Sequence, residues 1–229
     1  MFRASLTARE TFRYFWYQQA LDFNRIVPAL ERSCLKIAFS DDFSDPDSPV
    51  EHMWVDSVNF DGVEIDGILI SSPNCLKSVR EGETVSFPLE QLGDWICVLD
   101  GIVYGSYTIQ VLRSRMNERE RRQHDNAWRL SFPALGTTIL PDLNEKFEEV
   151  IANLTTDEIA KNPAIVEERF ENGRTLLHLE SLYGRVSVVK VILDGGGSPT
   201  TLCNRGWTAS EYAKSLNWKE VLALLKQAV

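Results

Sequence analysis

Apolar positions recur along this chain with two different periods, and the change from one to the other divides it. From Thr7 to about Arg32 the period is helical. Phe12, Phe15, Trp16, Gln19 and Phe23 fall at i, i+3, i+4, i+7 and i+11, one aromatic stripe with a single polar break. Thr7 and Glu10 have the spacing of a capping box, which places the helix start at Thr7. Pro28 bends or ends this helix, and residues 30–33 read as a brief resumption of it. From Cys34 the period falls to two. Residues 34–41, 51–60, 63–73, 84–89, 94–100 and 102–112 read as short strands. Asp61-Gly62 and Asp100-Gly101 stand between alternating runs as hairpin turns.

Residues 113–128 return to a helical, polar pattern, and a connector runs to Pro141. From Asp142 onward the pattern is purely helical. Residues 142–154 read as one helix; a second short helix breaks at Asn162-Pro163 before a third. Gly173, Thr175 and Val188 recur as Gly206, Thr208 and Val221, each 33 positions later. The predicted fold is α+β: a helix-covered antiparallel sheet or partial barrel over residues 1–141, then an all-α part over residues 142–229.

The chain has 229 residues and is 44% hydrophobic, enough for one large or two ordinary domains with real cores. Its net charge of −9 disfavours a general nucleic-acid surface, because phosphates want Lys and Arg, and favours a basic protein partner. Cys34, Cys75, Cys97 and Cys203 form no C-x-x-C pair and are read as reduced thiols of a cytosolic protein. The N-terminal stretch lacks a continuous apolar core with a cleavage site, and no run is long enough to span a membrane, so the expected compartment is the cytoplasm.

Two resemblances add to this. The repeat of 33 residues resembles the ankyrin family. Its first-helix box is present as Thr175-Leu176-Leu177-His178-Leu179-Glu180, with Leu for Pro and Glu for Ala, and again, without His, as Thr208-Ala209-Ser210-Glu211-Tyr212-Ala213. The segments at 188–193 and 221–226 match the apolar second helices, and the glycine-rich turn at 194–199 matches the turn after them. Residues 33–112 resemble the YegJ-like bacterial domain, a family of unknown function. The match is carried by Glu51-His52-Met53-Trp54-Val55, Gly67, Pro73, Gly82, Asp94-Trp95, Gly101, Gly105 and Tyr107-Thr108. The first resemblance implies a helical binding scaffold. The pairing of the two resembles small immunity proteins encoded beside bacterial toxins.

Candidate chemistry is sparse. His52, His124 and His178 lie in three separate contexts with no zinc-ligand spacing, G-x-S-x-G is absent, and no glycine-rich loop opens a helix. No cofactor and no metal are expected. His52 and Trp54 share a strand face that Asp94 could approach; with Trp95 they form the alternative site of a small enzyme or ligand-binding domain. The stronger signals are surfaces. Nine acidic residues and no Lys or Arg stand between Ser40 and Asp66. Asp41, Asp42, Asp45, Asp47, Asp61 and Glu64 are expected to dock a basic protein, with Trp207, Tyr212 and Trp218 as exposed aromatic contacts in the tail. Arg113, Arg115, Arg119, Arg121, Arg122 and Arg129 are diluted by acids and read as a salt-bridged helix. The expected function is non-enzymatic: stoichiometric binding of a protein, a toxin in the immunity reading, with no nucleic-acid or membrane partner.

Overall fold

A computed structural model describes residues 1–143, 145–170 and 172–228. They form two compact units, Met1–Asp142 and Leu143–Val229. The first unit opens with helix α1 (Phe2–Asp22), followed by strands β1 (Leu30–Phe39), β2 (Glu51–Phe60), β3 (Glu64–Leu69), β4 (Thr84–Pro88), β5 (Leu92–Leu99) and β6 (Ile102–Gly105). The strands make one antiparallel sheet in the order β4-β3-β2-β1-β5-β6, open at both ends rather than closed into a barrel. Both expected hairpins are present. Asp61 accepts from Val63 N and Glu64 N, both at 2.8 Å, and Gly62 takes a positive φ. Asp100 and Gly101 both have positive φ, the requirement of a two-residue turn that follows the strand twist.

The register places Trp95, Leu35, Val55 and Leu69 side by side on one face of β5, β1, β2 and β3. The aromatic stripe of α1 covers this face. Phe12 and Trp16 meet Phe60 edge-on, Phe15 leans on Trp95, and the Trp95 indole N–H donates to Ala8 O at 3.0 Å. Each such aromatic, fully buried, contributes on the order of 2–3 kcal/mol from area alone. The helix starts at Phe2, five residues before the expected capping box, because Thr7 bonds back to Arg3 O from inside the first turns. It ends at Asp22, so Phe23 is left half exposed and residues 30–33 are strand, held by pairing with β5. Neighbour pairing outweighs a local helical preference there.

On the opposite face Cys34, Ile96, Val98, Val103 and Ile109 form a second core, against which Trp54, Trp128, Leu130 and Phe132 pack. The expected strand over residues 102–112 stops at Gly105. Ser106 turns left-handed (φ 60°), and helix α2 (Tyr107–Arg113) begins. Asp94 explains the switch. Fully buried on β5, it accepts from Tyr107 N (2.9 Å), Thr108 N (2.7 Å) and Thr108 Oγ1 (2.6 Å), so it serves as the N-terminal cap of α2 from across the sheet. Gly105 is required beside it, because a Cβ there would collide with the ring and carbonyl of Trp95. A break at residues 114–117 separates α2 from helix α3 (Glu118–Trp128), which Asn117 and Glu120 start with a capping box. The arginine stretch is salt-bridged: Arg113 holds Asp125 at 2.8 Å and Arg122 faces Glu118 at 3.4 Å.

The second unit contains helix α4 (Glu145–Lys161), a 3-10 turn at Pro163–Val166, and helices α5 (Leu176–Tyr183), α6 (Val186–Asp194), α7 (Ala209–Ser215) and α8 (Lys219–Gln227). Residues 155–161 continue α4 instead of starting a new helix, and the break falls at Asn162-Pro163 as expected. The 33-residue repeat appears as two like helix pairs. Thr175 and Thr208 head α5 and α7 with capping boxes, and Gly173 and Gly206 take the left-handed turn before them. His178 ties the pairs together. Its Nδ1 accepts from Thr175 N at 3.0 Å, and its Nε2 lies 3.1 Å from the carbonyls of both Thr201 and Trp207.

Removing the cap should show directly. Asp94→Ala is expected to lower the unfolding free energy by about 3 kcal/mol, since it orphans several buried donors. A urea titration followed by tryptophan fluorescence measures it, and an unchanged midpoint would mean that α2 does not depend on this carboxylate.

Candidate functional site

The acidic segment folds into loops that it closes with its own carboxylates. Asp41 accepts from Lys77 N (3.0 Å) and Ser78 N (2.9 Å), reaching across to the loop that follows β3. Glu51 accepts from Asn74 N (2.9 Å), Cys75 N (2.6 Å) and Leu76 N. Asp42 and Asp45 cap their own turns through Ser44 N and Asp47 N. The side chains of Ser78 and Ser44, with these backbone donors, hold the carboxyls of Asp41 and Asp42 below the ordinary carboxylate range, and the backbone donors do the same for Glu51. Asp47 and Glu64 are exposed and close no loop. The surface therefore has two kinds of acid: those that shape it and those that only charge it.

Of the three tail aromatics expected at the surface, Trp207 is partly exposed. It sits after the Gly206 turn with the Arg205 guanidinium 5.2 Å from its ring centroid. Tyr212 and Trp218, expected at the surface, are 3% exposed and belong to the core. Tyr212 packs edge-on against His178 and Trp207. Trp218 lies where only Gly184 leaves room, and its indole N–H donates to Leu182 O at 3.1 Å. Both fill space between consecutive helix pairs, which a helical period cannot distinguish from an outward face.

His52, Trp54, Asp94 and Trp95 do not converge. Asp94 and Trp95 are consecutive on β5 and point to opposite faces. Trp95 enters the α1 core, and the carboxylate of Asp94 is consumed by α2. His52 rests over Gly93, and burial together with Lys36 pushes its imidazole below the ordinary range. Among the described residues no group of His, Cys, Asp and Glu could hold a metal ion.

A different arrangement does form a cavity. β1 and β2 are paired only from Leu35–Val55 to Phe39–Glu51. Beyond Val55 the strands part, because β2 turns at Ser57 (φ 52°) into a bulge against β3 and β1 has its own irregularity against β5 between Leu30 and Arg32. A cleft of about 620 Å³ opens in the gap, lined by residues 30–34 of β1, by Trp54, Asp56 and Ser57 of β2, and by Ile70, Ser71 and Trp128. Trp54 and Trp128 meet edge-on with centroids 5.1 Å apart, and the Arg32 guanidinium lies 5.7 Å above Trp128. Sequence reasoning singled out Trp54 and counted Asp56 only within the acidic patch, but passed over Arg32, Ser57 and Trp128. The divergence depends on a left-handed serine, for which no residue pattern is a signal.

Residues 1–132, the whole sheet with its three helices, match the family described as uncharacterized proteins conserved in bacteria, DUF2314. The chain belongs to this family. A protein of Neisseria meningitidis serogroup B (strain ATCC BAA-335 / MC58) is 36% identical over 233 aligned positions, covering 98% of this chain and 92% of its own length, and is named as an ankyrin repeat protein. The likeness to that relative thus includes the helical tail, which the DUF2314 match does not reach. Among the described residues no helix is long and apolar enough to cross a membrane.

The His178 joint in the tail of this DUF2314 chain should respond to pH. His178 accepts at Nδ1 and donates from Nε2, so the neutral ring is the form built in, and burial pushes its imidazole below the ordinary histidine range. A depressed folded value contributes stability above the ordinary range, which is lost as pH falls through it. Thermal melts from about pH 7 down to about pH 5 should show the tail weakening in the native protein. His178→Gln should be less stable at the upper end and show a flatter fall; equal slopes would remove His178 as the cause.

Proposed function

We propose that this protein is a non-enzymatic protein-binding module whose helical tail is a short ankyrin array and whose sheet unit is of the YegJ-like type. The supporting observation is the tail itself: a repeat of 33 residues realised as two equivalent capped helix pairs, in a chain similar over nearly its whole length to a protein named for ankyrin repeats. Such arrays present their turn tips and one helix face to partners. Trp207, partly exposed beside the Gly206 turn with Arg205 stacked on it, is the tail contact. The acidic loop and hairpin supply the second contact, with carboxylates favoured in the ionised state by serine side chains and backbone donors.

The finer reading is a cytoplasmic immunity protein that holds a basic toxin in a one-to-one complex. Its net charge of −9 raises the association rate, and the aromatic contact slows release. Tyr212 and Trp218 play no direct part, because they are inside.

The anchoring roles decide how this is tested. Reversing Asp41 or Asp42 would disturb the loops, whereas Asp47→Lys with Glu64→Lys changes charge at exposed side chains and removes one long bond, from Ser86 Oγ to Glu64 at 3.4 Å. The tagged protein, its double charge variant and Trp207→Ala are used to capture partners from a lysate of the source bacterium, followed by mass spectrometry. A single stoichiometric basic protein is expected, reduced about tenfold by either change at moderate salt. Absence of any stoichiometric partner, or equal capture by all three baits, would overturn the reading.

A further inference from the structure

The cleft between β1 and β2 has what a ligand site needs and a structural gap does not. Strand β1 pairs with β5 along Leu30–Ile37, but with β2 only from Leu35 onward. The backbone of residues 30–34 therefore has a ladder on one side and none on the other. All five residues line the cleft, although successive side chains of a strand alternate between faces. The wall they form is thus the strand's own edge. In an extended strand every second residue directs its N–H and C=O to a given side, so two or three residues offer pairing groups to the gap.

The other walls are selective. Trp54 and Trp128 form an apolar corner. Arg32 lies over Trp128, is exposed and makes no ion pair among the described residues. The acid nearest it in sequence, Glu31, is turned to Gly101 N at 2.7 Å. Asp56, on the facing strand, takes among the described residues only the hydroxyl of its neighbour Ser57, at 3.2 Å. Arg32 on β1 and Asp56 on β2 both line the cleft, so it carries one charge of each sign. Ser71 Oγ accepts from Trp54 N at 3.0 Å and keeps its own proton to give.

We propose that this cleft receives an extended peptide segment, which pairs with the free edge of residues 30–34, lays an apolar side chain against Trp54 and Trp128, and sets a carboxylate on Arg32. A volume of about 620 Å³ suits three to four residues of such a chain. Main-chain pairing supplies affinity, and Arg32 supplies the preference for an acidic residue. This goes beyond the binding proposed above, because it uses neither the acidic loops nor Trp207.

The test is an amide NMR titration of the full chain with the blocked peptide acetyl-Val-Thr-Val-Asp-amide, its Asn counterpart, the Asp peptide N-methylated at its two central residues, and acetate alone. The expected result is a set of shifts confined to residues 30–34 and 54–57 and the Trp128 indole. They should be about tenfold weaker for the Asn peptide and lost for the N-methylated one. Arg32→Gln, on an exposed side chain, should leave the rest of the spectrum in place and abolish the Asp-over-Asn preference. Equal shifts from the N-methylated peptide would overturn strand pairing. Shifts from acetate alone, or none from any peptide at saturating concentration, would overturn the peptide site altogether. None of these outcomes depends on whether Asp47, Glu64 or Trp207 binds a protein.

Discussion

One dipeptide on strand β5 holds both sides of the first unit. Asp94 and Trp95 point in opposite directions because strand side chains alternate. Trp95 gathers the aromatic stripe of α1 and fastens it through Ala8 O. Asp94 reaches the other face and caps α2 with its carboxylate. Burial pushes that carboxyl above the ordinary range, while the surrounding donors pull it the other way. A charge so deep in a sheet persists only when its donors are already in place, so the cap and the helix require each other. The left-handed Ser106, the glycine at 105 and the packing of Ile109 into the second core all follow from that one anchor.

With α2 and α3 held at the β5–β6 side, the second face is covered unevenly. Trp128, at the end of α3, reaches as far as Trp54 on β2 and Arg32 on β1 and no further. The place where cover ends is also the place where β1 and β2 part. A bulge and a left-handed serine cost backbone energy that a continuous ladder would avoid. That cost falls where, among the described residues, β1 has backbone outside the β2 ladder and Arg32 has no ion pair.

The acidic face shows a second economy. Its carboxylates satisfy backbone donors of long loops that have few apolar contacts of their own. Ionised, they both shape the loops and charge them. Local order and long-range attraction for a basic partner therefore come from the same groups, and only residues such as Asp47 and Glu64 separate the two effects.

Periodicity and turn chemistry alone determined a good deal: the α+β class, the aromatic face of α1, the hairpins at Asp61-Gly62 and Asp100-Gly101, the break at Pro163 and the 33-residue repetition of the tail. These are local properties, carried by the spacing of apolar residues and by a few residues with special backbone freedom. Tertiary structure decided the rest. Residues 30–33 are strand because β5 pairs with them; residues 107–113 are helix because Asp94, thirteen or more positions earlier, caps them. Tyr212 and Trp218 are inside because a neighbouring helix pair exists to cover them. The cleft was legible nowhere in the residue order, since it is an absence of pairing between two strands that each look ordinary by themselves.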